Sequence, residues 1–430
     1  MPPHKPVPPL HARGETTRSQ PNIQLVFDAL PDMLSAMSVD PATPQLPQRL
    51  LYATSARLGG SGLDVSSLEG ARASYRAGFL GRVIAFANQQ QEIPRSLVKS
   101  LAWHPVRALS FLPSENYYGA KKHYVDWIAE RQLRTGRYDA LHTWSGDALR
   151  SLIACRQLRL PSVIDIPTWH RNKGHLKGFY TKSEREAPQG GTASWKDRLV
   201  PSRQRILLEY ALADVLLMPS ERAAETFLEA GVPAGKLHYV ARGVDPGAFQ
   251  PGPPPEKFRL IFVGALIERK GVHHLLRAWK KLALRDAELI LVGTPHPEIQ
   301  SVLKECADDS VKVTGFVKNV PEQLRQASAF VFPSELEGAA KATFEAAACG
   351  LAQITTRESG DAVIDGLNGR IIPPNDPDAL AGAIHHFYHH RDELPAMGQA
   401  GRQRILDQFT WDHYRQRLLQ AYALARKLSR

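Results

Sequence analysis

Two successive alternations of short apolar strands with helical stretches, separated by a proline-rich break, constrain the fold of this chain most. In the first, Arg49–Ser55, Gly81–Ala87, Arg107–Leu112, Asp139–Trp144, Pro161–Ile166 and Asp214–Ser220 read as strands with helices between them. A glycine loop, Leu58–Gly62, follows the first strand, and Asp64 is placed to cap a helix running to about Ala77. Another helix is expected over Tyr118–Arg134. The break is Pro246–Lys257, which holds five prolines and two glycines. In the second alternation the strands are Arg259–Gly264, Glu288–Gly293, Val311–Gly315, Ala329–Ser334 and Ala352–Thr356, with helices including Gly271–Ala283 and Ala340–Cys349. A long helix, Trp411–Lys427, closes the chain behind Thr410 as its cap.

Short, continuously apolar strands between helices belong to parallel sheets covered on both faces. The expected organisation is therefore two doubly wound α/β units, residues 48–245 and 258–408, joined by a linker at 246–257. Residues 409–430 form the closing helix. Residues 1–47 hold ten prolines and read as an irregular extension, with one short amphipathic turn around Ile23–Leu34. Ligands of open parallel sheets bind beyond the carboxyl ends of the strands, so the cleft between the two units is the expected site.

Composition narrows the function classes. With 43 % apolar and 23 % charged residues in 430, the chain is neither disordered nor collagen-like, and no stretch approaches the roughly 18 apolar residues of a membrane span. The first twenty residues lack the apolar core of a secretory signal, and Cys155, Cys306 and Cys349 are odd in number and far apart, so a cytoplasmic chain without disulfides is expected. The net charge of +11 is unevenly spread: −1 over residues 1–47, +10 over 48–245 and +2 over 246–430. A basic first unit attracts phosphates or anionic headgroups.

The most informative stretch is Pro333–Gly350, PSELEGAAKATFEAAACG. Glu337 precedes an alanine-rich helix and Glu345 lies inside it, eight residues on, a separation of about 12 Å in a continuous helix. Between them the backbone N–H groups of Gly338, Ala339 and Ala340 open the helix and suit an anion, and Gly338 lets a ligand approach closely. Carboxylates at both ends for sugar hydroxyls, with donors in the middle for a pyrophosphate, match a nucleotide-sugar. Gly264–Gly271, GALIERKG, follows the first strand of the second unit, and Arg269 and Lys270 can reach the same crevice as a diphosphate clamp.

These residues resemble the retaining GT-B glycosyltransferases of the glycosyltransferase group 1 family. The likeness runs in order through IFVGALIERKGVHHLLRAW, ELILVG, VKVTGFV, FPSELEG, FEAAACG, DGLNGRIIPPNDPDALAGAI and FTWDHYRQRL, and through LLEYALADVLLMPS and VARGVDPGAFQP before the linker. It is close over about 200–425 and loose over 49–200. It implies the GT-B fold, an α/β class with two Rossmann-like domains facing a cleft: an acceptor-binding first domain, a nucleotide-sugar-binding second domain, and a C-terminal helix crossing back to the first. It implies that Glu337 holds donor-sugar hydroxyls, that Glu345 binds the ribose, and that Gly338, Ala339, Ala340 and the adjoining Lys341 meet the pyrophosphate. Arg269 and Lys270 would neutralise the leaving diphosphate beside Gly264. Gly315, Phe316 and Val317 would contact the base, and Gly59 and Gly60 the donor phosphate. His170, in PSVIDIPTWHRNKG, would face the donor sugar. The activity implied is transfer of a sugar from a nucleoside-diphosphate sugar to an acceptor hydroxyl, with retention and with neither metal nor cofactor. The basic first unit favours a phosphorylated or lipid-linked saccharide acceptor in polysaccharide or glycolipid assembly, with peripheral contact to an anionic membrane.

Departures from the family pattern are Ala265 for arginine, Ala340 for glycine or proline, and Ala352–Gln353 for Pro-Val. They keep open an alternative, a sugar-nucleotide-binding scaffold that no longer turns over. A nicotinamide oxidoreductase is disfavoured because LGGSG does not complete a G-x-G-x-x-G fingerprint. The pairs His385/His389 and His386/His390 lack an evident third metal ligand, Asn375–Asp378 reads as a helix cap, and Arg171–Lys182 carries no nucleic-acid-binding signature, so no nucleic acid partner is expected.

Overall fold

In a computed structural model, the structure describes residues 46–60, 62–101, 103–173 and 201–429. The expected extension up to residue 45, the turn around Ile23–Leu34 and most of Arg171–Lys182 lie outside the described residues.

The first domain is built on β1 (Leu50–Ala53), β2 (Leu80–Ala85), β3 (Val98–Ser100), β4 (Ala140–Trp144), β5 (Ser162–Asp165), β6 (Val215–Met218) and β7 (Leu237–Tyr239). All pairings are parallel, in the order β3-β2-β1-β4-β5-β6-β7. The second domain is built on β8 (Phe258–Val263), β9 (Ala287–Val292), β10 (Val311–Gly315), β11 (Ala329–Phe332), β12 (Ala352–Thr356) and β13 (Gly369–Ile372), again parallel, in the order β10-β9-β8-β11-β12-β13. Both orders reverse direction beside their first strand, between β1 and β4 and between β8 and β11. That reversal opens a crevice at the carboxyl ends of those strands. Both sheets lie in one compact unit.

The helices used below are α1 (Leu63–Arg76), α2 (Ser114–Leu133), α3 (Leu149–Leu158), α4 (Arg203–Leu212), α5 (Glu221–Glu229), α6 (Val272–Leu282), α7 (Gln300–Cys306), α8 (Val320–Leu324), α9 (Lys341–Ala348), α10 (Pro377–His389), α11 (Leu394–Gln408) and α12 (Trp411–Leu428). Local chemistry starts several of them. Ser202, Ser220, Asn319 and Asp376 accept from backbone N–H groups of the first turns of α4, α5, α8 and α10. Thr410 and His413 close a capping box on α12. That helix crosses back to the first domain: Leu418, Ala421, Tyr422 and Ala425 join a core with Leu50, Ala140, Val163 and Val215. Tyr422 Oη lies 2.7 Å from His142 Nδ1, and Arg426 pairs with Asp139 at 2.9 Å.

Three local expectations are corrected. Arg107–Leu112 is not a strand: a 3-10 turn occupies Pro105–Leu109, because proline fixes a turn-compatible φ and offers no N–H to a ladder. The edge strand is instead the short Val98–Ser100. Asp64 does not cap α1; Gly62 is the N-cap, and the Asp64 carboxylate accepts from the Arg57 N–H at 3.0 Å. The edge strands β7 and β13 are additional to the strands expected from the sequence. The three cysteines are free and buried.

Candidate functional site

Strand β8 ends at Val263, Gly264 follows, and the chain then makes a tight turn, Glu268–Lys270, before α6. Gly264 has φ +152°, and a Cβ there would lie 2.8 Å from Lys270 Nζ, so a side chain would crowd the ammonium. Arg269 donates to Glu337 Oε1 at 2.9 Å and to the Leu336 carbonyl. Lys270 Nζ lies 3.9 Å from the same carboxylate and 5.2 Å over the Phe332 ring. Burial pushes the Lys270 ammonium below its ordinary value, against the opposing pull of Glu337. Two cations are thus concentrated at the crevice, with one carboxylate between them.

Across the crevice, β11 leads through Pro333–Ala340 into α9. In the first turn of α9 the Thr343 N–H donates to the Ala340 carbonyl at 3.1 Å, while the N–H groups of Gly338, Ala339, Lys341 and Ala342 find no carbonyl among the described residues. Two of the expected features are corrected here. The Ala340 N–H donates to the Ser359 carbonyl at 2.8 Å and is not available to an anion. Gly338 is glycine because of the other domain: a Cβ would sit 2.1 Å from the Pro167 carbonyl oxygen, and the Gly338 carbonyl accepts from Ser220 Oγ at 2.5 Å. Glu345 is buried within α9 and paired with Lys341 at 2.5 Å; burial raises its pKa and the lysine opposes this.

Arg269, Lys270, Glu337, Gly338, Ala339, Ala340, Lys341, Glu345 and Gly264 line one cleft of about 460 Å³. The first domain closes it with Gly62, Pro167, Thr168, Arg171 and Arg242. Arg242 was missed in the sequence. It is half-buried and donates to Ser66 Oγ at 3.2 Å. The available signal was a lone cation inside the apolar run VARGV just before the linker.

Other expected residues are not brought to this cleft. His170 is 4 % exposed, its ring packed against Phe227 and Tyr210, and its Nδ1 accepts from the Asn172 N–H at 3.2 Å. Burial, then Arg203 and Lys173, lowers its pKa to about 4, so the imidazole is a neutral, buried group, and it is not among the residues that line the cleft. Gly59 and Gly60 sit behind the loop, against Gln90 and Asp64, and Gly62 reaches the cleft in their place. Gly315, Phe316 and Val317 lie at the carboxyl end of the edge strand β10, outside the lining. Phe316 is 74 % exposed, and Val317 packs against the second-domain core.

Among the described residues, His273, His274 and Glu335 form a group whose ligand atoms lie within 4.8 Å of one another and could hold a metal ion. It is outside the cleft lining. Of the two histidine pairs at the end of α10, His385/His389 is tilted and His386/His390 stacked, and among the described residues the carboxylate brought to them is Glu393, 3.1 Å from His386 Nε2.

Comparison with known proteins agrees with this geometry. Residues 257–390 match the family model described as glycosyl transferases group 1, and residues 71–248 the one described as glycosyltransferase family 4. The GDP-mannose-dependent alpha-(1-6)-phosphatidylinositol monomannoside mannosyltransferase of Mycolicibacterium smegmatis is 29 % identical over 227 residues, 46 % of this chain and 59 % of that protein. The alpha-maltose-1-phosphate synthase of the same organism is 29 % identical over 219 residues, 44 % of this chain and 56 % of that protein. The chain thus spans little more than half the length of these relatives. Sucrose-phosphate synthase from Thermosynechococcus elongatus superimposes with a TM-score of 0.64 at 21 % identity, over 86 % of this chain and 96 % of that one. Anabaena HepE in complex with UDP-glucose gives 0.63 at 17 % identity, over 86 % and 98 %. With both sheets, the crevice and the returning helix in place, and with a family 4 match in the first domain and a group 1 match in the second, the chain belongs to the glycosyltransferases of GT-B fold.

Proposed function

We propose that the protein transfers a sugar from a nucleoside-diphosphate sugar to an acceptor hydroxyl, with retention at the anomeric carbon. One observation carries this reading: Arg269, Lys270 and the open N–H groups at the start of α9 converge on one cleft that also holds Glu337 and Glu345. The diphosphate lies between the cations and the helix N-terminus, where charge developing on the leaving group is stabilised as the glycosidic bond breaks. Glu345 takes ribose hydroxyls and Glu337 sugar hydroxyls. The acceptor attacks from the face the diphosphate leaves, and a leaving phosphate oxygen takes its proton. Closure by Pro167 and Arg242 excludes water and protects the donor from hydrolysis. With two side-chain cations at the diphosphate, the reaction needs neither metal nor cofactor. Relatives named for mannosyl transfer to a phosphatidylinositol monomannoside and for synthesis of maltose 1-phosphate support a saccharide or lipid-linked acceptor. No described helix is long and apolar enough to cross a membrane, and the basic first domain suits a cytoplasmic protein touching an anionic membrane surface.

The test is thermal stabilisation by UDP, GDP, ADP and their sugars, followed by turnover with the donor that binds, with and without EDTA. Stabilisation by one nucleotide and multiple turnovers insensitive to EDTA are expected. Binding without turnover would favour the scaffold alternative, which the Arg269–Glu337 ion pair and Ala265 make specific.

A further inference from the structure

A second pocket, of about 280 Å³, adjoins the donor cleft across Pro167, which lines both. It lies in the first domain, where the chain leaves β1 at Thr54–Arg57 and β4 at Ser145–Asp147, under Lys121 and Lys122 of α2. Its charges are not balanced internally. The Asp147 carboxylate accepts from the Ser55 N–H at 2.7 Å and faces Lys122 Nζ at 3.6 Å, and Asp64 accepts from the Arg57 N–H. Lys121 and the Arg57 guanidinium have no carboxylate partner among the described residues. The Lys121 stem is half-buried, with its ammonium 4.2 Å over the Phe86 ring and 4.8 Å over Tyr118. Burial and the neighbouring Arg57 charge both push its pKa down, the expected state of a cation awaiting a counter-charge. Asp147 is 1 % exposed, and its Oδ1 accepts no hydrogen bond among the described residues, its ion partner being the Lys122 ammonium at 3.6 Å. A buried carboxylate oxygen whose partner stands beyond hydrogen-bond distance gains from a ligand hydroxyl that donates to it.

We propose that this pocket selects an anionic acceptor: a saccharide bearing a phosphate, whose anion is bound by Lys121 and Arg57 while a hydroxyl donates to Asp147 Oδ1. Tyr118, which is exposed, and the buried Trp144 line the same pocket. The inference rests on the proposed glycosyl transfer, because it is adjacency to the donor cleft that makes the occupant an acceptor. The phosphate can come from a free sugar phosphate or from a lipid headgroup carrying the sugar.

The experiment uses the full chain saturated with whichever nucleotide it binds. Calorimetry compares hexose phosphates with the matching neutral hexoses. A parallel arm compares vesicles of phosphatidylinositol in phosphatidylcholine with phosphatidylcholine alone. Binding of a hexose phosphate at least about tenfold tighter than its neutral hexose assigns the anion to a soluble acceptor. Binding to the anionic vesicles without the hexose phosphates assigns it to a headgroup. In either arm Lys121→Met should weaken binding about 10- to 100-fold and leave the nucleotide Kd unchanged. Equal binding of charged and neutral probes, or no binding of either while the nucleotide still binds, overturns the inference, and the wild-type comparison does so without any variant. Loss of nucleotide binding in the wild type would instead count against the donor cleft.

Discussion

Gly338→Ala is the smallest change that tests how the cleft is closed. The added Cβ would stand 2.1 Å from the Pro167 carbonyl oxygen, 2.8 Å from its carbon and 3.1 Å from Thr168 Cα, all in the opposite domain. A carbon–oxygen contact needs about 3.3 Å, so the two domains must separate by about 1 Å at this point. The Ser220–Gly338 hydrogen bond sits at the same place and stretches with it. Nearby interdomain bonds, from the Glu221 N–H and the Tyr239 hydroxyl to Asp361 at 3.0 and 2.9 Å, resist the opening, so the strain is shared and costs about 1–3 kcal/mol. A displacement of about 1 Å between the domain holding the donor and the domain holding the acceptor lowers kcat by about 100-fold. Nucleotide affinity should change much less, because Arg269, Lys270 and α9 all belong to the second domain. The assay is steady-state kinetics with the donor that binds, alongside nucleotide calorimetry. Gly382→Ala, in α10 with open space where the Cβ would go, is the matched control and should be neutral or stabilising by up to about 1 kcal/mol. Unchanged kcat in Gly338→Ala would refute the claim that transfer requires this interdomain contact.

Four further outcomes are expected. Glu345→Gln keeps the volume of the buried side chain but removes its charge, so it should weaken nucleotide binding about tenfold while the fold is retained; unchanged affinity would remove Glu345 from the ribose. His170→Ala should cost about 1–3 kcal/mol of stability through lost packing on Phe227 and Tyr210, with kcat little changed; loss of kcat at unchanged stability would restore it to the reaction. Burial and the Glu221 charge push the Asp361 carboxyl up to about 7, so between about pH 4 and 7 the folded state holds a proton that the unfolded chain has released. Its contribution is complete below about pH 4 and is lost as pH rises through 7; Asp361→Asn should flatten the fall in Tm over that window, and an unchanged profile would contradict the burial argument. NMR of the first product should show the anomeric configuration of the donor; inversion would rule out same-face attack.

Much of the fold was legible because buried parallel strands announce themselves. LLYA, VLLM and AFVF are apolar throughout and bounded by turns, and each is a buried strand. What misled was local. RALSFL carries a strand-like apolar pattern, but Pro105 just upstream commits the chain to a turn. Lys270, Glu337 and Glu345 were legible as a group because they flank strand ends that the topology sets side by side. The packing of His170 was not legible because its position in a loop after a strand says nothing of which way its ring turns, and Phe227 and Tyr210, far along the chain, decide that. The reason for Gly338 was equally hidden. Its partner is a carbonyl of the other domain, and no pattern in Pro333–Gly350 reveals it. Arg242 was passed over because a single cation in an apolar run has no periodic signature.

The central claim is that Lys270 and Arg269, facing the start of α9, bind the diphosphate of a nucleotide-sugar. Isothermal calorimetry of UDP, GDP and ADP on the wild type and on Lys270→Met tests it most directly. One nucleotide should bind the wild type, and the substitution should weaken it about 10- to 100-fold, the loss of one charge-assisted contact. Equal affinity in the two proteins would contradict the placement of the diphosphate at this cleft.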